Sequence, residues 1–199
     1  MARHRIHSLA QLTIACVAIV AGLGLSGRFA TIGHASAGLV AGFDDPAPAP
    51  RWPSRVSNPI RVWIEPSAML GYDERVRGAF TEWTDIGLPL RFVFVDRARD
   101  AEIRVRWTDQ LDRKTGNTVW RVDRNGWMHA SDVLLATHLS DGRVLDIRSL
   151  RAIALHEIGH AIGLAHSDHR HDVMAPLVRV AALSAEDRAK ALLLYGHLR

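Results

Sequence analysis

The run His156-Glu157-Ile158-Gly159-His160-Ala161-Ile162-Gly163-Leu164-Ala165-His166 sets five chemically specific residues at fixed spacing, HExxHxxGxxH. Residues four apart share one face of a helix, so the imidazoles of His156 and His160 converge on a single cation with Glu157 beside them. Two nitrogen donors hold zinc too weakly. A catalytic zinc takes three protein ligands and keeps a fourth position open, so the chain must reverse after the helix to bring His166 back. Gly163 supplies that reversal, because a residue without Cβ adopts positive φ at little cost. With 11 His and 15 Gly in 199 residues, a random chain of this composition holds the pattern with a probability of about 10⁻⁴, too small for a decorated helix surface.

An open zinc position beside a carboxylate suits hydrolysis. Zinc lowers the pKa of a bound water toward about 7 and polarises a carbonyl. Glu157 is the candidate general base for that water. No other nucleophile competes, since the single cysteine, Cys16, lies in an apolar run near the amino terminus and no G-x-S-x-G occurs.

The elements that position these residues follow from periodicity. Ile60 to Ile64 alternates as a half-buried strand, and Tyr72, Val76, Ala79, Phe80, Trp83 and Ile86 recur at helical steps until Gly87 and Pro89. Strands are expected at 90–95, 101–107, 118–122 and about 127–137, with a turn at Asn125-Gly126. A helix is expected from Ile147 to Leu164, and another from Ala185 to Tyr195, capped by Ser184 with Asp187 three residues on. One mixed α+β domain over 55–199 is the expected class.

Ahead of it, Arg3-His4-Arg5 precedes an apolar run from Leu9 to Leu25, and Ala35-Ser36-Ala37 offers a small-residue cleavage site. Residues 1–37 read as an export signal, and the alternative is an uncleaved membrane anchor facing outside. Four prolines in residues 44–53 make 38–54 an extended linker. Three of the 25 basic residues fall before residue 38, so the remaining 22 basic and 21 acidic residues leave the domain near neutrality. That balance argues against nucleic acid as a partner.

The long zinc motif, with Asp172-Val173-Met174-Ala175-Pro176 following it and Ser167 directly after the third histidine, resembles the metzincin zinc peptidases, and within them the bacterial-type matrixin branch. The resemblance implies a twisted mixed five-stranded sheet, an active-site helix, a Met-turn at Met174 and a C-terminal helix. It implies a secreted or surface-held zinc endopeptidase acting on proteins or peptides, with His156, His160 and His166 as ligands and Glu157 as base. Met174 would form a hydrophobic floor. Substrate would pair with the edge strand at Thr118, Val119 and Trp120, and Pro176-Leu177 would wall an apolar specificity pocket. A second zinc is not expected, because His129, Asp132 and His138 lack the ligand spacing. Calcium is compatible with the resemblance, but no recognisable binding loop supports it. Two other functions remain open: a catalytically silent peptide-binding module of the same fold, and a zinc hydrolase of a non-protein amide.

Overall fold

A computed structural model describes residues 19–20, 49–112 and 114–196. The export segment expected over 1–37 lies outside those residues apart from Ile19–Val20. Among the described residues no helix is long and apolar enough to cross a membrane.

The architecture is α+β. Among the described residues, seven strands and three α-helices follow in the order β1 (Ile19–Val20), β2 (Arg55–Ile64), α1 (Tyr72–Asp85), β3 (Leu90–Phe94), β4 (Ile103–Thr108), β5 (Gly116–Val122), β6 (Met128–Ala136), α2 (Ile147–Ala161), β7 (Leu177–Val178) and α3 (Ala185–Tyr195). Five strands form a mixed sheet in the order β3-β2-β4-β6-β5. All neighbours are parallel except β5, which closes one edge antiparallel to β6 with Thr118 opposite Val133. Separately, β1 pairs in parallel with β7, Ile19 opposite Leu177 and Val20 opposite Val178.

The elements expected from periodicity form, with ends that shift for local reasons, whereas the short pair β1 and β7 was not expected. Helix α1 buries Tyr72, Val76, Ala79, Phe80 and Trp83 on one stripe. Strand β2 begins at Arg55 instead of Ile60, because the Arg55 N–H reaches Pro89 O at 2.8 Å and its guanidinium reaches Glu102 at 2.6 Å. A register shift between Arg55 and Ile60 absorbs the polar stretch. Helix α2 starts at the expected residue, where the Asp146 carboxylate accepts from the N–H groups of Arg148 and Ser149, both at 2.9 Å. It stops at Ala161, three residues before the expected end, because Gly163 has φ 100°. At α3 the capping box expected of Ser184 and Asp187 is formed.

Most of the core lies between the sheet and the two long helices. Ile60, Val62, Ile103, Val105 and Leu135 from the sheet meet Val76, Phe80 and Trp83 of α1 and Ile153, Ala154 and Ile158 of α2. The indole of Trp83 donates to Leu155 O at 2.9 Å and locks α1 against α2. Trp52, placed in the linker by its proline-rich surroundings, is instead fully buried in this core. Its indole donates to Ala161 O at 2.9 Å, and the Tyr195 hydroxyl donates to Ile162 O at 2.7 Å. These two groups satisfy carbonyls that the end of α2 would otherwise leave without partners.

Candidate metal centre

Helix α2 carries His156, Glu157 and His160, all essentially removed from solvent. At its end the Gly163 N–H bonds to His160 O at 2.8 Å and the Leu164 N–H to Gly159 O at 3.0 Å. This pair of bonds is the Schellman closure that a left-handed glycine permits. A Cβ at Gly163 would also fall 2.0 Å from Pro50 O, so close approach joins φ in requiring glycine. The reversal returns His166 to the helix face. The candidate ligand nitrogens of His156, His160 and His166 lie within 4.8 Å of one another, with His166 the least buried of the three.

The hydrogen bonds of the two helical histidines determine what the cluster can hold. His156 Nδ1 lies 2.7 Å from Val173 O, and His160 Nδ1 lies 2.7 Å from Leu164 O. A carbonyl only accepts, so both Nδ1 atoms carry protons and both Nε2 atoms present lone pairs. Those Nε2 atoms stand 3.0 Å apart. Two lone pairs at that distance repel unless a cation lies between them. A proton is disfavoured there: burial pushes His156 down to about 4 and His160 well below its usual range, and it lowers His166 as well. Three neutral imidazoles fit a divalent metal, and a tetrahedral zinc with Zn–N of about 2.0–2.1 Å suits such a spacing.

The floor beneath the helix is the segment Asp172–Pro176. Val173 O faces His156, and Met174 O accepts from the Ser167 N–H at 2.8 Å. Met174 itself is buried against α2, where a Cβ on Gly159 would lie 2.3 Å from its Sδ. Glycine at this position of the motif therefore lets the thioether seat. Asp187 of α3 holds the turn in place. Its carboxylate accepts from the N–H groups of Val173 at 2.8 Å, Met174 at 3.2 Å and Ser184 at 2.9 Å.

Glu157 is sealed on the opposite side, against the edge strand. Burial pushes its carboxyl up to about 8, opposed by a hydrogen bond from Thr118 and by the Lys114 charge. The residues expected to meet substrate are divided by the alternation of β5. Val119 lies on the outer side, but Thr118 and Trp120 point inward: Thr118 is fully buried with Oγ1 2.6 Å from Glu157 Oε2, and Trp120 joins the core. The side chains of Thr118 and Trp120 are thus not surface contacts, although β5 is the sheet edge. Past the floor, Pro176 is exposed and Leu177 half-buried. Asp132 is held at 3.0 Å by both Arg104 and Arg121, and His138 Nδ1 lies 2.8 Å from Thr137 Oγ1.

Several contributors carried no usable sequence signal. Val173 O and Leu164 O are backbone atoms that any residue offers. Asp187 was readable as a helix cap, but nothing in its spacing reveals that the same carboxylate holds the floor turn.

Residues 65–196 match the family model described as Matrixin. Matrix metalloproteinase-17 of Homo sapiens is 33% identical over 175 residues, covering 75% of this chain and 28% of that protein. Metalloendoproteinase 1-MMP of Arabidopsis thaliana is 30% identical over 134 residues, covering 60% of this chain and 36% of that protein. The chain spans about a third of the length of these curated relatives. Two solved structures of myroilysin share the fold at 14% identity, with TM-scores of 0.50 and 0.52; they cover 73% and 78% of this chain and 82% and 93% of theirs.

Proposed function

The chain belongs to the matrixin family, and from that premise we propose that it is a zinc-dependent endopeptidase that cuts proteins or peptides outside the cell. The observation that carries the reading is the pair of Nε2 lone pairs 3.0 Å apart, fixed in that state by Val173 O and Leu164 O. His156, His160 and His166 would hold the ion. Bound zinc supplies a polarised peptide carbonyl and a water made nucleophilic near neutral pH.

The chain's own residues do the rest. Glu157 accepts a proton from the attacking water at Oε1, the carboxylate oxygen with no hydrogen-bond partner among the described residues. As the water oxygen bonds to the carbonyl carbon and the C–N bond breaks, Glu157 delivers that proton to the leaving nitrogen. The outer edge of β5, unpaired among the described residues, pairs with an extended substrate through its backbone. As the family resemblance implies, Pro176 and Leu177 would wall an apolar specificity pocket, which would favour hydrophobic side chains just after the cut bond. Export rests on the basic start and apolar run of residues 1–37; a mature protein beginning near Gly38 supports it, and intact Met1 in membranes supports an anchor.

A peptide-library digestion tests the reading. Cleavage should stop with a zinc chelator and return with zinc. Glu157→Gln should lower kcat by about 10²–10⁴ while zinc stoichiometry stays near one. His166→Ala should lose metal. Cleavage that survives both chelation and Glu157→Gln overturns the proposal.

A further inference from the structure

Glu157 sits between two parts of β5. On one side Thr118 Oγ1 lies 2.6 Å from Oε2 and 3.0 Å from Glu157 O. On the other side stands Gly116, where a Cβ would fall 2.4 Å from Oε1 and 2.6 Å from Cγ. Thr118 is fully buried, and the antiparallel register with Val133 fixes its height above the helix. We infer that Thr118 is the positioning residue of the general base, holding Oε2 while the missing side chain of Gly116 leaves the room in which Oε1 stands.

The chemistry follows from the count of protons. Thr118 has one hydroxyl hydrogen and two oxygens within reach. An ionised carboxylate is a stronger acceptor than a carbonyl, so the hydroxyl donates to Oε2 when Glu157 is charged. That bond occupies Oε2 and leaves Oε1 to take the proton. It also fixes the carboxylate plane, which a glutamate side chain on a helix does not fix by itself. The Thr118 side chain, fully buried, reaches neither substrate nor reacting atoms, and acts through Glu157. The inference rests on Glu157 being the base.

The experiment compares Thr118→Val, which keeps the shape and removes the hydroxyl, with Thr118→Ser, which keeps the hydroxyl. Each variant is first checked for zinc stoichiometry and thermal midpoint, then assayed on one cleaved peptide. Thr118→Val should lower kcat by about 10- to 100-fold with KM within about twofold, the pattern of a misplaced group. Thr118→Ser should recover kcat to within about threefold of the parent. A readout without turnover is the carboxyl ¹³C resonance of Glu157 in zinc-free protein, assigned with Glu157→Gln. It should move in Thr118→Val and return in Thr118→Ser. Should Thr118→Val fail to fold, Gly116→Ala tests the same placement from the opposite wall and should lower kcat by about tenfold or more with zinc retained. An unchanged kcat in whichever of these two variants folds overturns the inference. So does a rise in KM alone, which would make Thr118 a substrate contact, or a Thr118→Ser variant as slow as Thr118→Val. If Glu157→Gln itself remains active, the function reading fails; if Glu157→Gln is inactive and Thr118→Val is not, only this inference does.

Discussion

The five-stranded sheet and the segment from Ile162 to Tyr195 keep their shapes by different means. In the sheet, Ile60, Val62, Ile103, Val105 and Leu135 are buried, and the ladder pairs the backbone of each strand with its neighbours. Apolar burial is non-directional, so such a layer accepts other hydrophobic residues of similar volume. Between Ile162 and Ser184 the only regular element is the two-residue β7. There the chain is held by carboxylates. Asp187 takes three N–H groups, and Asp172 accepts from the hydroxyls of Ser167 and Ser184, with the Lys190 ammonium 3.0 Å from Ser167 Oγ. Hydrogen bonds fix direction as well as distance, and this is the region whose carbonyls orient His156 and His160. The sheet is held by burial that sets no direction, and the irregular segment by directed hydrogen bonds that orient the candidate ligands.

The largest effect that would break this contrast is expected at Asp187. Asp187→Ala leaves two buried N–H groups, those of Val173 and Met174, without an acceptor, each costing about 1–3 kcal/mol, and a half-buried one at Ser184. Urea unfolding should show a loss of about 3 kcal/mol or more. Zinc affinity measured by chelator competition should fall by about 10- to 100-fold, because the carbonyl facing His156 is released. Leu135→Ala in the sheet should cost about 2–5 kcal/mol, yet the folded fraction should bind zinc as the parent does. If the two variants lose zinc affinity equally, the division of labour is wrong.

Acid sharpens the same contrast in zinc-free protein. Burial lowers the three histidines, His156 to about 4, and raises Glu157 to about 8. Below an ordinary histidine value of 6.5 the unfolded chain takes protons that the folded chain refuses, so stability falls as pH drops from 6.5 toward 4. Glu157 acts in the opposite sense: the folded chain keeps a proton that the unfolded chain releases above 4.5, so stability falls as pH rises toward 8. Three histidines outweigh one glutamate on the acid side. The thermal midpoint should peak near about pH 6.5–7, and Glu157→Gln should flatten its alkaline limb. A midpoint that rises steadily through that range contradicts the burial of these groups. The smallest expected effect is Ile103→Val, about 0.5–1.5 kcal/mol, with zinc affinity unchanged.

Much of this was legible in the sequence wherever the physics is local. The stripe of α1, the capping of α3 and the glycine reversal after α2 depend on residues within a few positions of one another. The five motif residues were legible for the same reason, since four of them lie within two helical turns and the fifth follows one tight turn. Contacts that join distant segments left no such trace. Trp52 stands among prolines and reads as linker, yet it packs into the core and meets Ala161, 109 residues away. Thr118 reads as one residue of an edge strand, and only the pairing of β5 with β6 turns its hydroxyl toward Glu157.

The sequence by itself named the candidate metal ligands and the candidate base, because side-chain type and helical spacing suffice to state them, and its zinc motif with the following methionine turn carried the resemblance to the family. Tertiary structure alone decided which nitrogen of each helical histidine is free, which oxygen of Glu157 is held, and what supports the floor. Those facts depend on backbone carbonyls and buried hydroxyls brought together from β5, α2 and α3, and hydrogen bonds of that kind exist only once the segments have packed.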